Sequence, residues 1–177
     1  VWCRLLHEVP GSVLWLASPH HDARANLLRE AASRGIDEAR LVFAPYSATI
    51  QEHLGRLQLA AIALDTTPYN SHSTGVDALW CGVPLVCVRG ERFAGRVAAS
   101  IVAAAGTPEL ARDSLDDYYR MALTLATDAG ALRAMKARLE EARSSSALFD
   151  TSGFARDLEA LYLRIWEDHR AGRQEII

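Results

Sequence analysis

The sequence predicts an α/β fold in which a parallel β-sheet carries helices on both faces and is followed by a group of C-terminal helices. Two observations lead to this prediction. Short apolar runs alternate with amphipathic helical stretches through about residue 105, which is typical of parallel strands joined by right-handed crossovers. Beyond that point, helical stretches follow one another with no convincing strand between them. We therefore expect a single domain over 1–177, with its sheet core in 1–110 and its closing helices in 111–177.

The expected strands are short and apolar, as is typical of strands buried on both faces. They cover 13–17, 41–43, 61–65 and 85–88, with a weaker fifth strand near 109–110. The expected helices follow the 3.6-residue apolar pattern and are bounded by capping residues and glycines. They cover 1–7, 22–34, 49–59, 73–81, 91–105, 114–127, 129–144 and 151–170.

The composition is that of a globular protein with an ordinary core, since 50% of the 177 residues are hydrophobic and 23% are charged. A net charge of −3 without a basic block disfavours a nucleic-acid partner. No apolar run approaches the roughly 20 residues of a membrane helix, so no membrane partner is expected, and we recognise no signal peptide. Because Val1 is not a natural initiator and already lies in a helical pattern, we expect the chain to be part of a longer protein.

Three cysteines without regular spacing do not suggest a disulfide framework, which favours a reducing compartment, the cytoplasm. Cys81 and Cys87 lie in apolar stretches and are expected to be small core residues. Trp166, near the C-terminus, either packs on the closing helices or faces a missing partner domain. The other large residues that we expect to be buried are Trp15, Leu79, Trp80, Val86, Tyr118, Tyr119 and Tyr162.

In an open parallel sheet, ligands bind beyond the carboxyl ends of the strands. The loops that should share this edge are 17–22, 44–49, 65–72 and 88–92. In the first loop, His20 and His21 are adjacent and point in different directions, so we expect no metal site there. Asp22, which follows them, suits a helix N-cap.

The most informative stretch is 70–86, where a polar loop leads into an amphipathic helix. His72, Ser73 and Thr74 fall at the helix start, where unpaired N–H groups and the positive end of the helix dipole suit a phosphate. Asp77, about one turn further, could accept hydrogen bonds from a ribose diol. The alternative is that a serine simply caps the helix and His72 is an exposed loop residue. Local sequence leaves both interpretations open.

A second pair of polar residues, His53 and Arg56, shares one face of the helix after the second strand. An imidazole can stack on a nucleobase, and a guanidinium can donate to a base carbonyl. The alternative is a solvated helix face. The ligand interpretation gains weight because this helix begins at the same sheet edge as the loop before residue 72. No Gly-x-Ser-x-Gly, Walker or Gly-x-Gly-x-x-Gly motif accompanies these residues.

Taken in order, these segments resemble a known family. The resemblance lies in Phe43-Ala-Pro, His53-x-x-Arg56, Leu64-Asp-Thr, Asn70-x-His-x-Thr-Gly-x-Asp77-x-Leu-Trp, Gly82-x-Pro, Arg96-Val-Ala-Ala-Ser and Leu148-Phe. The chain resembles the C-terminal part of the catalytic region of the O-linked N-acetylglucosamine transferases, glycosyltransferase family 41. The likeness is strongest to bacterial members that carry tetratricopeptide repeats upstream. It covers essentially the whole chain.

This resemblance implies the second, Rossmann-like, donor-binding domain of a GT-B fold. It implies that His53 lies against the uracil of a UDP-sugar, that Arg56 and the loop after Pro45 lie near the base, and that Asp77 binds the ribose. It further implies that the segment 72–74 holds the diphosphate. No metal and no other cofactor is implied.

Two departures from the family pattern are visible. The loop from Tyr46 to Ile50 lacks the lysine that many members carry, and Ser73 replaces a commoner threonine. A phosphate-pairing lysine and the candidate base residues of the family fall upstream of this chain. We therefore expect no catalytic residue within the chain, weak donor binding and no turnover by the chain alone.

The resulting hypothesis is the donor-binding half of an inverting enzyme that moves N-acetylglucosamine from UDP-N-acetylglucosamine to Ser or Thr hydroxyls of an acceptor protein or peptide. The missing N-terminal catalytic domain would be its partner. The alternatives are a GDP-fucose-dependent protein O-fucosyltransferase, a noncatalytic flavodoxin-like binding module and a nucleotide-sugar epimerase. A preference for GDP would indicate the fucosyltransferase. The absence of any nucleotide response would indicate the binding module, and release of free sugar or UDP without a protein acceptor would indicate the epimerase.

Overall fold

The computed structural model describes residues 1–17 and 20–173, and it has the α/β architecture that the sequence predicts. Helices and strands alternate up to the fifth strand, and three long helices complete the chain. The helices are α1 (Trp2–Glu8), α2 (His21–Ala32), α3 (Ile50–Leu57), α4 (Ser73–Trp80), α5 (Val97–Ala104), α6 (Leu115–Thr127), α7 (Ala129–Ser145) and α8 (Thr151–Arg170). The strands are β1 (Leu14–Ala17), β2 (Leu41–Ala44), β3 (Ala63–Leu64), β4 (Leu85–Val88) and β5 (Ala111–Arg112).

All strand pairings of the described residues are parallel, but they fall into two separate groups. β1 pairs only with β2, whereas β3, β4 and β5 form a second sheet in that order. No pairing within the described ranges joins β1 to β3. The parallel strands are therefore confirmed, while the sheet is interrupted between its two halves.

The main core lies where the second sheet meets the helices on its faces. Leu79 of α4, Val86 of β4 and Leu139 of α7 are all fully buried in one cluster. Helices α6 and α7 thus share a core with the sheet. Lys136, the only lysine of the chain, donates from Nζ to the carbonyl of Ala60 at 3.2 Å and ties α7 to the turn before β3.

The expected burial is confirmed for most residues, is wrong for Trp80 and Tyr162, and is met only in part by Trp15, which is half-buried. The exposure of Trp166 contradicts the first of its two interpretations, packing on the closing helices, and leaves the second untested. Tyr118 and Tyr119 are buried, as are both cysteines that were expected in the core. Trp80 is 43% exposed because it ends α4 and meets the edge of Phe149, with ring centroids 5.1 Å apart. Tyr162 and Trp166 are also exposed, because α8 buries none of its residues within the described part of the chain.

Helix α5 is shorter than predicted. Residues 91–96 form a loop with a single 3₁₀ turn over Phe93–Gly95, and the α-helix begins only at Val97. A Cβ at Gly95 would lie 3.2 Å from the carbonyl oxygen of Pro68, so this loop packs tightly against the loop after β3. Asp22 is likewise not the cap of α2, whose N-cap is His20.

Within the described residues, no helix combines the length and the apolar character needed to cross a bilayer.

Candidate functional site

The loops after β3 and β4 meet at the carboxyl edge of the second sheet. The N–H of Asn70 donates to the carbonyl of Ala94 at 2.9 Å, which joins the two loops directly. Asn70 lies in the expected edge loop 65–72, and Ala94 lies two residues beyond the expected loop 88–92, in the longer loop that the structure shows between β4 and α5. In the expected loop 17–22, residues 18 and 19 lie outside the described residues.

The loop after β3 is held by buried polar side chains. Asp65, only 8% exposed, accepts the N–H of Ser71 on Oδ1 at 2.7 Å. Asn70, only 1% exposed, donates from Nδ2 to the carbonyl of Thr66 at 2.9 Å. Burial raises the pKa of Asp65, although the Ser71 N–H partly opposes that rise. These contacts fix the path of the chain as it enters α4.

Helix α4 begins at Ser73 with His72 as its N-cap, and no side chain caps it. The His72 carbonyl accepts from the N–H groups of Gly75 and Val76 at 3.0 and 3.2 Å. Within the described residues, the N–H groups of Ser73 and Thr74 have no acceptor, and both residues are exposed. Two free N–H groups at a helix start can bind an anion. The interpretation of a serine side chain as a simple N-cap is not what the structure shows.

The start of α4 is fixed by a close approach at Gly75. A Cβ at this position would lie 2.8 Å from Ser71 Oγ and 3.0 Å from Leu85 Cδ2. The glycine therefore lets the first turn of α4 lie directly against both the preceding loop and β4.

The imidazole of His72 is held by two aromatic rings. It stacks on Tyr69 with centroids 5.0 Å apart and planes 6° apart, and Phe93 meets it edge-on at 6.3 Å. Both aromatic residues are largely exposed, while Nε2 of His72 is buried without a hydrogen-bond partner. Sequence reasoning missed Tyr69 and Phe93. Tyr69 lies in the expected edge loop 65–72, which was the available signal, whereas Phe93 falls within the helix that the sequence analysis placed at 91–105.

The second group of predicted residues lies where α3 and α4 meet. His53 Nε2 is 3.3 Å from Asp77 Oδ2, and both side chains are about three-quarters buried. Arg56 lies 3.4 Å from His53 Nδ1 and donates to the carbonyl of Pro45. The structure thus brings together the residues that the sequence assigns to the base and to the ribose. A capping box between Thr49 and Glu52 fixes the start of α3.

A cavity of ≈ 520 Å³ opens beside the start of α4. His72, Ser73 and Thr74 line it, together with the end of β3 and the loop that follows. The other three predicted residues lie outside this cavity. Asp77 is one turn further along α4, and His53 and Arg56 are on α3. The six predicted residues therefore form two adjacent groups, one at the start of α4 and the other where α3 meets α4.

The described residues hold no group of three His, Cys, Asp or Glu side chains that could bind a metal ion. His20 and His21 are exposed, and each lies beside Asp22, at 3.7 and 3.5 Å.

The sequence matches a known protein family. The model of glycosyl transferase family 41 matches residues 1–158. The chain belongs to glycosyltransferase family 41.

Among family 41 relatives, the chain is 38% identical over 172 residues to the UDP-N-acetylglucosamine–peptide N-acetylglucosaminyltransferase of Caenorhabditis elegans, covering 97% of this chain and 15% of that protein. It is 35% identical to the Arabidopsis thaliana protein SEC, named a probable enzyme of the same kind, covering 98% of this chain and 18% of SEC. In a mutant of the Thermobaculum terrenum O-GlcNAc transferase, a matching region has a TM-score of 0.87 at 30% identity. That match covers 94% of this chain and 32% of the other. The chain therefore spans less than a third of the length of these proteins.

Proposed function

We propose that this family 41 chain is the donor-binding part of a glycosyltransferase that moves N-acetylglucosamine from UDP-N-acetylglucosamine to Ser or Thr hydroxyls of an acceptor protein or peptide. The observation that carries the proposal is the free helix start at Ser73 and Thr74 beside the His53–Asp77 pair. It offers an anion site and a nucleoside site along one helix. The names of the relatives support the donor and the acceptor.

In this proposal the segment 72–74 receives the diphosphate, and the N–H groups of Ser73 and Thr74 donate to its oxygens. His53 stacks on the uracil, while Arg56, held against the carbonyl of Pro45, donates to the base. Asp77 accepts from the ribose hydroxyls. The stack of Tyr69 on His72 supports a fixed position for the imidazole, because a ring packed on another ring loses freedom of rotation.

The proposed reaction forms a bond between the acceptor hydroxyl oxygen and the anomeric carbon as the bond from that carbon to the UDP oxygen breaks. Negative charge then develops on the departing diphosphate. Backbone N–H groups at a helix start stabilise such charge without reorganising, so this chain contributes through leaving-group stabilisation and positioning. The proton of the acceptor hydroxyl passes to a group outside this chain.

We propose that the chain needs the upstream part of the catalytic region for turnover. No lysine lies near the start of α4. The only lysine of the chain, Lys136, is on α7 and donates to the carbonyl of Ala60. Without a lysine at the start of α4, the segment 72–74 is expected to hold the diphosphate mainly through neutral donors, so we expect weak donor binding and no turnover by the chain alone. The proposed donor-binding domain covers 1–177, with the sheet in 1–110 and the closing helices in 111–177. The three free cysteines support a cytoplasmic setting.

Isothermal titration of the chain with UDP, UDP-N-acetylglucosamine and GDP tests the proposal. We expect both uracil nucleotides to bind and GDP to bind at least about tenfold more weakly, a difference of about 1.4 kcal/mol. His72→Ala should weaken UDP binding, whereas His7→Ala, which alters a histidine on α1, should not. A preference for GDP would support fucosyl transfer, and the absence of any nucleotide binding would support a noncatalytic module.

A further inference from the structure

The loop between β4 and α5, residues 89–96, is a part of the carboxyl edge to which the proposed function gives no role. It carries three arginines, Arg89, Arg92 and Arg96, and one acidic residue, Glu91. The chain as a whole has a net charge of −3, so this loop is basic in a chain that is acidic on balance. The loop therefore adds positive charge to the edge that carries the candidate site.

This basic loop is held against the start of α4. The N–H of Gly90 donates to the carbonyl of Gly95 at 2.7 Å, which closes the loop on itself. The ring of Phe93, the residue after Arg92, meets the imidazole of His72 edge-on, with centroids 6.3 Å apart. Since His72 is the N-cap of α4, the loop lies directly beside the candidate anion site.

The three arginines differ in their charge partners. Arg89 Nη1 lies 3.0 Å from Asp113 Oδ1, so its charge is already balanced. Arg92 and Arg96 are exposed, and neither takes part in an ion pair among residues 1–17 and 20–173. Glu91 is exposed too and forms no ion pair with either of them. Two positive charges are thus available to an anion at this edge.

The position of Arg96 is unfavourable for the helix that it begins. Arg96 is the N-cap of α5, and the first turn of α5 has no acidic residue. A cation at this place faces the positive end of the helix dipole, which lowers the stability of the helix. In contrast, α6 begins with a capping side chain, Ser114, and has Asp116 and Asp117 in its first turn. A positive charge at the start of α5 therefore points to a role other than stabilising that helix.

The starts of α4 and α5 reinforce each other. Both helices begin at the carboxyl edge and pack against each other, and neither start has a side-chain cap or an acidic residue in its first turn. Each start adds the positive end of a helix dipole to the same edge. A surface that gathers charge of one sign attracts ligands of the opposite sign. The two helix starts and the two unpaired arginines together favour an anion with more than one negative charge.

We propose that Arg92 and Arg96 supply the positive charge that balances the diphosphate of the donor, from the loop beside the segment 72–74. The inference rests on the proposed function, which places the diphosphate at that segment and gives it mainly neutral donors there. Negative charge grows on the diphosphate as its bond to the sugar breaks, and fixed positive charges nearby stabilise it. The two arginines therefore favour a diphosphate over a monophosphate and assist its departure.

Titration of the 177-residue chain with uridine, UMP and UDP, followed by NMR, tests the inference, because these ligands differ only in their phosphates. Replacing both residues, Arg92→Gln with Arg96→Gln, should weaken UDP binding by at least about tenfold, weaken UMP binding less and leave uridine binding unchanged. Raising NaCl from about 0.05 M to about 0.5 M should weaken UDP binding to the native chain more than to this variant, because salt screens exposed charges. Arg29→Gln is the matched control. Arg29 lies in the last turn of α2, at the opposite edge of the sheet, and its loss should leave UDP binding unchanged.

Two further measurements separate charge from the shape of the loop. The variant with Arg92→Lys and Arg96→Lys keeps both charges and should bind UDP within about threefold of the native chain. The midpoint of thermal unfolding of the glutamine variant should be equal to that of the native chain or higher, since a cation has left the start of α5. A purely structural role of the arginines would instead lower both stability and affinity.

Three results would overturn the inference. They are equal losses of UDP affinity in the lysine and glutamine variants, equal losses for uridine and UDP in the glutamine variant, and the same salt dependence in that variant as in the native chain. A native chain that binds UDP, with affinity unchanged in the glutamine variant, would overturn the inference alone. A native chain that binds no UDP would overturn the proposed function, and the inference with it.

Discussion

The imidazole of His53 and the carboxylate of Asp77 lie 3.3 Å apart, although one belongs to α3 and the other to α4. The pair fixes the orientation of the imidazole at the carboxyl edge of the sheet. Since Arg56 contacts the other ring nitrogen at 3.4 Å, the ring is held on both sides. In the proposed function, the ring held in this way stacks on the uracil.

Replacing His53 by alanine should weaken UDP binding, because the stacking surface for uracil is lost. Stacking of a base on an aromatic side chain contributes about 1–3 kcal/mol, so the dissociation constant should rise by about 5- to 100-fold. Isothermal titration measures the change, and thermal unfolding checks that the variant remains folded. His169→Ala on the exposed helix α8 is the matched control. Unchanged UDP affinity in His53→Ala would contradict the assignment of the base.

Asp77→Ala should reveal a ribose contact through a comparison of two ligands. A hydrogen bond to a charged group contributes about 1.5–3 kcal/mol, and UDP should lose that contribution in the variant. The 2′,3′-dideoxy analogue of UDP lacks the hydroxyls and should lose much less. Both ligands share any indirect effect through His53, so the difference between them isolates the ribose. Equal losses for the two ligands would place Asp77 in a purely supporting position.

Gly75→Ala should destabilise the protein and weaken UDP binding together. The added Cβ would lie within 3.0 Å of both Ser71 and Leu85, and such overpacking costs about 1–3 kcal/mol of the free energy of unfolding. Gly55→Ala in α3 is the matched control, because no atom lies within 4 Å of its added Cβ. That variant should gain about 0.5–1 kcal/mol from helix propensity. Urea unfolding of the two variants measures the contrast.

The pH dependence of stability should report the buried carboxyl of Asp65. Burial raises its pKa in the folded state above the ordinary 3.8, so the folded protein binds this proton more tightly than the unfolded chain. Its contribution to stability is complete below the unfolded pKa and is lost as the pH rises through the folded pKa. The free energy of unfolding of the native chain should therefore fall relative to Asp65→Asn as the pH rises from below 3.8 through the raised pKa of the folded state. Parallel curves for the two proteins would show that the raised pKa is absent.

Leu139→Ala tests whether the closing helices belong to the same folding unit as the sheet. Leu139 of α7 is fully buried in the main core, and such a truncation costs about 2–5 kcal/mol. We expect a single cooperative unfolding transition at a lower urea concentration than in the unchanged chain. Tryptophan fluorescence and circular dichroism should give the same midpoint. Leu59→Ala, at a residue that is 83% exposed, should change stability by less than about 0.5 kcal/mol. Separate transitions for the two signals would divide 1–110 from 111–177.

The helices were largely predictable because the residues that set their boundaries are close to them in the sequence. Ser114, Asp128 and Asp150 cap α6, α7 and α8 with their own side chains, so the sequence itself marks where each helix begins. The start of α5 was missed because it depends on the packing of Gly95 against Pro68, which is distant in sequence. The exposure of Trp80 is likewise set by its neighbours and not by its apolar pattern.

The sheet and the candidate site were predictable only in part, for the same physical reason. Alternating strands and helices indicate parallel pairing, but the pattern does not reveal that β1 and β3 remain unpaired. The sequence assigned His53 and Asp77 to one ligand without indicating that they contact each other. Asp65, a buried carboxylate that orders the loop, entered the sequence analysis only as part of the motif Leu64-Asp-Thr and received no role of its own. Its contact with Ser71 forms only once the loop has folded.

The contact between Lys136 and Ala60 has a practical consequence for chemistry on this protein. Since arginine supplies every other basic side chain, the interior of the sequence offers one primary amine, on the helix that packs behind β3. An amine-directed fluorophore at that position would give a nearly uniform label without any substitution. Its emission would then follow changes in the sheet from a fixed point away from the helix start at Ser73.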